Sequence, residues 1–188
     1  MKMLKKLLAV VLTGAMALTL LTACGGNAVT EKDIADALTD LAKAQSSNAT
    51  FTPRAKEREL ARNFAALAES KAADGKDIFD NEFAEERKNI LGCNDGDANA
   101  NNFVWVAGAL TDTLTDKIGA SGQAFQLLYH TMNENDAENA KKLANDNNPA
   151  DDRYMGTALC KMPDDDGNLV TMRIIVVTAK AEVDKDKG

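Results

Sequence analysis

Apolar residues recur at helical spacing along most of the sequence between residues 30 and 144. The first apolar stripe begins at Ile34 and follows Thr30, which forms a capping-box-like pattern with Asp33. Further helices are predicted where similar stripes follow a capping residue or end at a glycine. These helices are predicted to start at Thr52-Pro53, to run from about Asn81 to Leu91 before Gly92, to start at Ser121, and to run from Asp136 to Ala144.

The stretch from Phe103 to Ile118 fits a helix by its apolar spacing, but it allows a second interpretation. Its β-branched residues leave a partial strand at Phe103–Val106 as the alternative. Phe103 and Trp105 belong to this periodic run, so we expect them to pack in the core rather than to form an exposed binding patch.

The last third of the sequence changes to the two-residue period of β-strands. Tyr154–Met162 and Leu169–Thr178 are predicted strands, joined by a turn over Pro163–Gly167. The second strand is apolar on both faces, and such strands are covered on both faces. The sequence therefore predicts an α+β fold, an α-β-α sandwich in which the helices precede a C-terminal β-hairpin. A charged tail over residues 180–188 is expected to be disordered.

The N-terminus has the order of parts that an export signal requires: three lysines, an apolar run over Leu7–Leu20, and small residues before Cys24. That run of about fourteen residues is shorter than the ~20 needed to span a bilayer. Leu21–Cys24 resembles the bacterial lipobox. The resemblance implies a lipoprotein signal peptide over residues 1–23, acylation of Cys24, and an extracytoplasmic protein anchored to the bacterial cell membrane, with residues 24–30 as a tether.

Removal of residues 1–23 would take away three lysines and no acid, so the formal net charge of −7 would become −10 on 165 residues. Nucleic acid is excluded as a partner because its phosphates require clustered lysine and arginine. A chain of this length fits one domain, predicted over residues 31–179. A two-lobed solute-binding protein would need more residues.

If Cys24 is acylated, Cys93 and Cys160 remain as an even pair in an exported chain. A disulfide between them is the preferred prediction, with two free thiols as the alternative. The bridge would close a long loop and stabilise the fold by roughly 4 kcal/mol. A catalytic thiol is less favoured, because it needs a neighbouring base and the sequence contains one histidine.

Two segments resemble the CAP superfamily, the cysteine-rich secretory, antigen 5 and pathogenesis-related proteins. They are the early helix Leu60–Ala72 and the stretch Asn148–Thr157 with its Tyr-Met-Gly sequence, and the resemblance extends from about Asp33 to Val177. It implies an α-β-α sandwich that ends in a β-hairpin. Metal-binding members use two histidines and two acids, but no histidine occurs near Phe79–Asp80 here. The resemblance therefore implies the fold without the metal site.

His130 is the only histidine, and Glu134 follows at a spacing that allows contact on a helix. Asp116 is the one residue that could match a family acid, so these three residues are predicted to form a cleft. A non-enzymatic domain that binds an unknown protein or small apolar ligand, without metal or cofactor, is the preferred function. The alternative is an extracytoplasmic hydrolase that acts on cell-wall or peptide substrates through this acid and histidine cluster.

Overall fold

The computed structural model of the chain describes residues 29–92, 98–99, 101–112, 118–131, 144, 147–164 and 166–182. These residues form four α-helices, one 3₁₀ helix and a five-stranded sheet. The helices are α1 (Glu31–Ala44), α2 (Ala55–Ala72), α3 (Ala84–Leu91) and α4 (Ala120–Thr131), and the 3₁₀ helix Asn81–Phe83 precedes α3. The strands are β1 (Thr50–Pro53), β2 (Ala98–Asn99), β3 (Asn102–Leu110), β4 (Asn148–Pro163) and β5 (Leu169–Glu182).

The strands form one mixed sheet in the order β1-β4-β5-β3-β2. β1 is parallel to β4, and the other neighbouring pairs are antiparallel. β4 and β5 form the predicted C-terminal hairpin, whose turn contains Gly167 at φ +81°, a conformation that glycine adopts without strain. The Asp164 carboxylate accepts the backbone N–H groups of Asp166 and Asn168, at 3.1 and 2.7 Å, so this aspartate stabilises the turn.

Alternate side chains of the central strands point into two apolar clusters, one on each face of the sheet. On one face α1 and α4 pack against residues that include Trp105 and Val177. On the other face α2 and α3 cover residues that include Ile174 and Val176. β5 is thus buried on both faces, as its sequence predicts. The chain is α+β, with helices on both sides of a mixed sheet.

The N-terminus of α1 confirms the predicted capping box. The Thr30 N–H donates to Asp33 Oδ2 at 2.8 Å, and the Asp33 N–H donates to Thr30 Oγ1 at 3.2 Å. The helix predicted over Asn81–Leu91 is also confirmed as the 3₁₀ helix followed by α3. Gly92, at φ 77°, ends that helix in the left-handed conformation.

The prediction that Thr52-Pro53 caps a helix is wrong. These residues belong to β1, and α2 begins only at Ala55. Parallel pairing of β1 with β4 holds the segment extended, and the Phe51 N–H donates to Thr39 Oγ1 of α1 at 3.1 Å. The Arg54 N–H donates to the Met155 carbonyl at 2.8 Å, which fixes the turn from strand into helix. Tertiary pairing therefore displaces the start of the helix.

The helix predicted from Phe103 is also wrong, and the strand considered as its alternative is present. β3 pairs with β5 along its whole length, from Asn102 opposite Lys180 to Leu110 opposite Met172. The apolar spacing is misleading because β3 is buried on both faces, so it does not alternate in polarity. Phe103 and Trp105 are buried with stacked rings, 5.7 Å between centroids, as the core-packing prediction requires.

Three further predictions concern the ends of the described segments. The helix predicted over Asp136–Ala144 lies outside the described residues except for Ala144. The tail expected from residue 180 starts too early, because β5 continues to Glu182, and the Ala181 N–H donates to the Asn101 carbonyl at 2.9 Å. The signal peptide and Cys24 also lie outside. Among the helices that the structure describes, none is both long and apolar enough to cross a membrane.

Candidate binding site at Arg153

The cleft predicted from Asp116, His130 and Glu134 falls where the structure gives no side chains. Asp116 and Glu134 lie outside the described residues. The backbone of His130 belongs to α4, but its side chain is not described. Whether these groups converge therefore stays a prediction. The same holds for Cys24 and for Cys93, the predicted disulfide partner of Cys160.

Cys160 is a buried free thiol in β4. Burial, with a smaller contribution from the charge of Glu69, raises the pKa of the Cys160 thiol to about 12. The thiol is therefore protonated near neutral pH and is a poor nucleophile. It packs in the apolar cluster beneath α2 and α3, which also contains Leu91. A catalytic role for this cysteine is thus disfavoured on chemical grounds.

Two buried arginines lie on the sheet face that α1 and α4 cover. Arg153 of β4 and Arg173 of β5 are 9 % and 8 % exposed. Their positions along the sheet differ, because Arg173 is opposite Leu159 whereas Arg153 is opposite Ala179. Burial of a guanidinium is costly unless its donors are satisfied, so the partners of each arginine indicate what it does.

Arg173 is satisfied by three different elements. Its Nε donates to Gln123 Oε1 of α4 at 2.8 Å, its Nη1 to Thr157 Oγ1 of β4 at 3.2 Å, and its Nη2 to the Val29 carbonyl at 2.8 Å. Gln123 in turn donates to the Ile118 carbonyl at 2.7 Å. Arg173 therefore links the chain before α1 and the start of α4 to the sheet, which is a structural role.

The charges around Arg173 are balanced by acids at the start of α1. Burial lowers the pKa of Arg173, while Glu31 and Asp33 oppose that shift without cancelling it. Glu31 also accepts the Thr157 backbone N–H at 2.9 Å and pairs with Arg58 at 2.6 Å. This N–H lies on β4 beyond the end of β1, so Glu31 satisfies a donor on an edge that β1 no longer covers.

An ion pair with a buried carboxylate lies at the start of α2, between Arg54 and Glu57. Glu57 is fully buried and accepts hydrogen bonds from two groups of Arg54 and, at 2.7 Å, from the Thr178 hydroxyl of β5. The Arg54 guanidinium lies 3.8 Å from the centroid of the Tyr154 ring. Both oxygens of Glu57 are engaged, so this pair attaches α2 to the sheet.

Arg153 differs from these groups because aromatic rings surround its guanidinium. The guanidinium carbon lies 5.3 Å from the centroid of the Trp105 ring and 5.5 Å from that of Phe51. Three strands supply the three side chains. Between β4 and β3 lies β5, whose Ala179 is opposite both Arg153 and Phe103. At this level β5 therefore contributes only a small side chain. A cation near two ring faces is attracted by their quadrupoles, by about 0.5–2 kcal/mol each.

Within the described chain, Arg153 Nε is the only buried side-chain nitrogen or oxygen without a hydrogen-bond partner. Burial lowers the pKa of Arg153, and the charge of Asp151 opposes this only in part. A buried donor left without a partner costs about 1–3 kcal/mol, and more when it is charged. The two rings offset part of this cost but accept no directed hydrogen bond from Nε. An oxygen acceptor placed against Nε would satisfy this donor.

The sequence contained a signal for Arg153, although the predicted strand started one residue too late to include it. With β4 beginning at Asn148, the two-residue period places Arg153 on the same buried face as Met155. A charged residue at an inward position is informative because it is rarely buried without a partner. The β-bulge between Pro149 and Arg153 changes the register there, and the sequence alone does not reveal it.

The sequence matches no family model, and comparison with curated proteins and with solved structures finds no match. Among the residues that the structure describes, no group of three or more histidine, cysteine or acidic side chains is placed to hold a metal ion. Among the described residues, Arg153 is the one whose buried side chain keeps an unsatisfied donor.

Proposed function

We propose that this protein is a lipid-anchored, extracytoplasmic binding domain without enzymatic activity, and that it holds its ligand or partner at Arg153. The observation that carries this proposal is the buried guanidinium of Arg153, which lies beside Trp105 and Phe51 while its Nε lacks a partner among the described groups. A ligand oxygen that accepted this N–H would recover the cost of burying it.

A binding role agrees with the chemistry of the other buried polar groups. Arg173 and Glu57 are both engaged by several partners from neighbouring elements. Groups that are satisfied in this way stabilise the fold and are not free to transfer protons or to attack a substrate. Arg153 is the exception, and an arginine has too high a pKa to act as a general base.

The lipid anchor and the CAP-like fold belong to the same proposal. The anchor rests on the lipobox-like residues Leu21–Cys24 after an apolar run. The CAP-like fold is supported by helices on both sides of the sheet and by the final hairpin of β4 and β5. An anchor of this kind would keep the binding domain at the outer face of the membrane.

Membrane fractionation and intact mass of the chain recovered from its host test the anchor. We expect a chain that begins at acylated Cys24 and sediments with membranes, whereas C24A should lose both the added lipid mass and the sedimentation. C93A is the matched control and should remain in the membrane fraction. A wild-type chain that keeps residues 1–23 and carries no lipid would refute the anchor.

Native mass spectrometry of the same recovered protein tests the binding site. Wild type should retain a bound mass that R153M does not retain. R62M is the control because it removes an equal charge from an exposed position of α2. A bound mass that is retained equally by R153M would place the ligand elsewhere, and the absence of any bound mass from wild type would contradict the proposal.

A further inference from the structure

We propose that the Arg153 site recognises a monocarboxylate attached to an apolar group. This inference deepens the proposed function and rests on it, because it names the class of ligand that the same site would bind. It follows from the shape of the guanidinium, from the side chains around it and from the charge of the chain.

The unpaired donor sets the polar part of the ligand. A guanidinium presents its N–H groups in a planar fork that matches the two oxygens of a carboxylate. Arg153 contributes Nε, which is buried and has no partner in the described chain. A carboxylate that accepted this N–H and a neighbouring one would satisfy the donor. A neutral carbonyl would form a weaker bond and would leave the charge uncompensated.

The surrounding side chains set the apolar part of the ligand. Phe51 and Trp105 approach the guanidinium from β1 and β3, and Ala179 lies between their strands. Small-molecule sites typically combine apolar and aromatic walls with a few well-placed polar groups. A ligand body that packs against these walls would therefore be apolar. A second charged group on the ligand would have no partner among these residues.

The electrostatic balance disfavours anions of higher charge. The chain has a formal net charge of −7, and the nearby Asp151 is the acid whose charge acts on Arg153. One guanidinium can balance one negative charge. A phosphate monoester, with nearly two charges at neutral pH, would leave an excess negative charge beside a buried surface and would be repelled by the acidic protein.

Trp105 provides the reporter for a direct test, because it is the only tryptophan in the sequence and contacts Arg153. The full chain, held in lipid nanodiscs, would be titrated with hexanoate while tryptophan emission is recorded. Hexanol has the same apolar body without the charge, and inorganic phosphate has the charge without the apolar body. We expect a saturable change with hexanoate, and at least about tenfold weaker responses with hexanol and with phosphate.

Variants then assign the response to Arg153. R153M should weaken hexanoate binding by about tenfold or more, R153K by less because it keeps the charge but not the fork, and R62M should bind as wild type does. Far-UV circular dichroism would confirm that each variant is folded. If R153M failed to fold, the hexanoate affinity of R153K and the hexanol and phosphate titrations of wild type would still test whether the site prefers a monocarboxylate.

The outcomes separate this inference from the proposed function. Equal affinity for hexanoate and hexanol, or tighter binding of phosphate, would overturn the assignment of a monocarboxylate as the ligand. A lack of any response to hexanoate would overturn it as well. If native mass spectrometry nevertheless showed a ligand that depends on Arg153, the binding function would stand with a different ligand. A hexanoate response that survives in R153M would refute monocarboxylate binding at Arg153, and if the natural bound mass also survived in R153M, the binding function of Arg153 would be refuted with it.

Discussion

Gly156 of β4 lies directly against the backbone of Arg58 in the first turn of α2. A Cβ at Gly156 would collide with the backbone nitrogen of Arg58 and with the carbonyl carbon of Glu57. This close approach allows Glu57 to reach the Thr178 hydroxyl on the next strand, and Arg58 to reach Glu31 at the start of α1. One missing side chain thus permits the contacts that join both N-terminal helices to the sheet.

We expect G156A to destabilise the protein strongly. The atoms in the way belong to backbone, which cannot rotate aside, so α2 must shift and its ion pairs must weaken. Overpacking of a core costs about 1–3 kcal/mol, and we expect a loss at or above the upper end, measured as the free energy of unfolding in urea. G119A is the control because no heavy atom lies within 4 Å of its added Cβ. Equal stabilities for G156A and G119A would contradict the close approach.

The pH dependence of stability should report the ionisation of Glu57. Burial alone would raise the pKa of this carboxyl, but hydrogen bonds from Arg54 and Thr178 outweigh burial and hold the pKa below its usual value. The ionised form therefore stabilises the folded protein above the unfolded pKa of about 4.3, and this contribution is lost as the pH falls through the folded pKa.

Replacement of Glu57 by glutamine removes that contribution. E57Q should be less stable than wild type by about 1–3 kcal/mol near pH 7, and the difference should shrink as the pH falls below about 4.3. Urea unfolding at a series of pH values measures it. The exposed E59Q, two residues along the same helix, is the matched control and should differ little from wild type at any pH. A difference between E57Q and wild type that is independent of pH would rule out this role.

The two arginines buried on the face that α1 and α4 cover, Arg153 and Arg173, should respond in opposite ways to removal of their charge. R173M leaves Gln123, Thr157 and the Val29 carbonyl without their donor, so we expect it to lose about 3 kcal/mol of stability. R153M breaks no hydrogen bond to a described residue and removes a desolvated charge, so its stability should lie within about 1 kcal/mol of wild type or above it.

Thermal and urea unfolding of both variants, without added ligand, provide the comparison. The difference between them matters more than either value, because both changes replace arginine by the same apolar residue on the same sheet face. If R153M lost as much stability as R173M, Arg153 would have a structural role, and its use as a ligand-binding group would be refuted.

The contrast between Thr30 and Phe103 indicates how far the sequence could predict the fold. The capping box at Thr30 is local, and its prediction is confirmed because the interacting groups lie within three residues. The strand at Phe103 is stabilised by β5, which lies far along the sequence. Its burial on both faces removes the alternation that marks a strand. The hairpin of β4 and β5 was predictable because its strands are adjacent and its turn contains Gly167.

The candidate site was less predictable than the fold because it joins three strands that are distant in sequence. Phe51 lies in a short strand that the apolar pattern does not predict, and Trp105 lies in a strand whose apolar spacing favours a helix. Arg153 points inward with Met155 by the period of β4, but it lies directly after a bulge and just outside the strand that the sequence predicts. His130 is a candidate because of its residue type alone. Arg153 becomes a candidate only when its hydrogen-bond partners in the folded chain are known.

The last prediction concerns Cys160 and its proposed bridge to Cys93. Because Cys160 is buried and its pKa is raised to about 12, its free thiol should resist alkylation in the folded protein at pH 8 and react once the protein is denatured. If the disulfide forms in the host compartment, denaturation alone will not expose either thiol, and two alkyl groups will be added only after reduction. Intact mass of the recovered chain with and without reductant distinguishes these states. C93A gives an independent measure, since loss of the bridge should cost roughly 4 kcal/mol whereas loss of a free thiol at that position should cost far less. Two groups added to the denatured wild type without reductant would refute the disulfide.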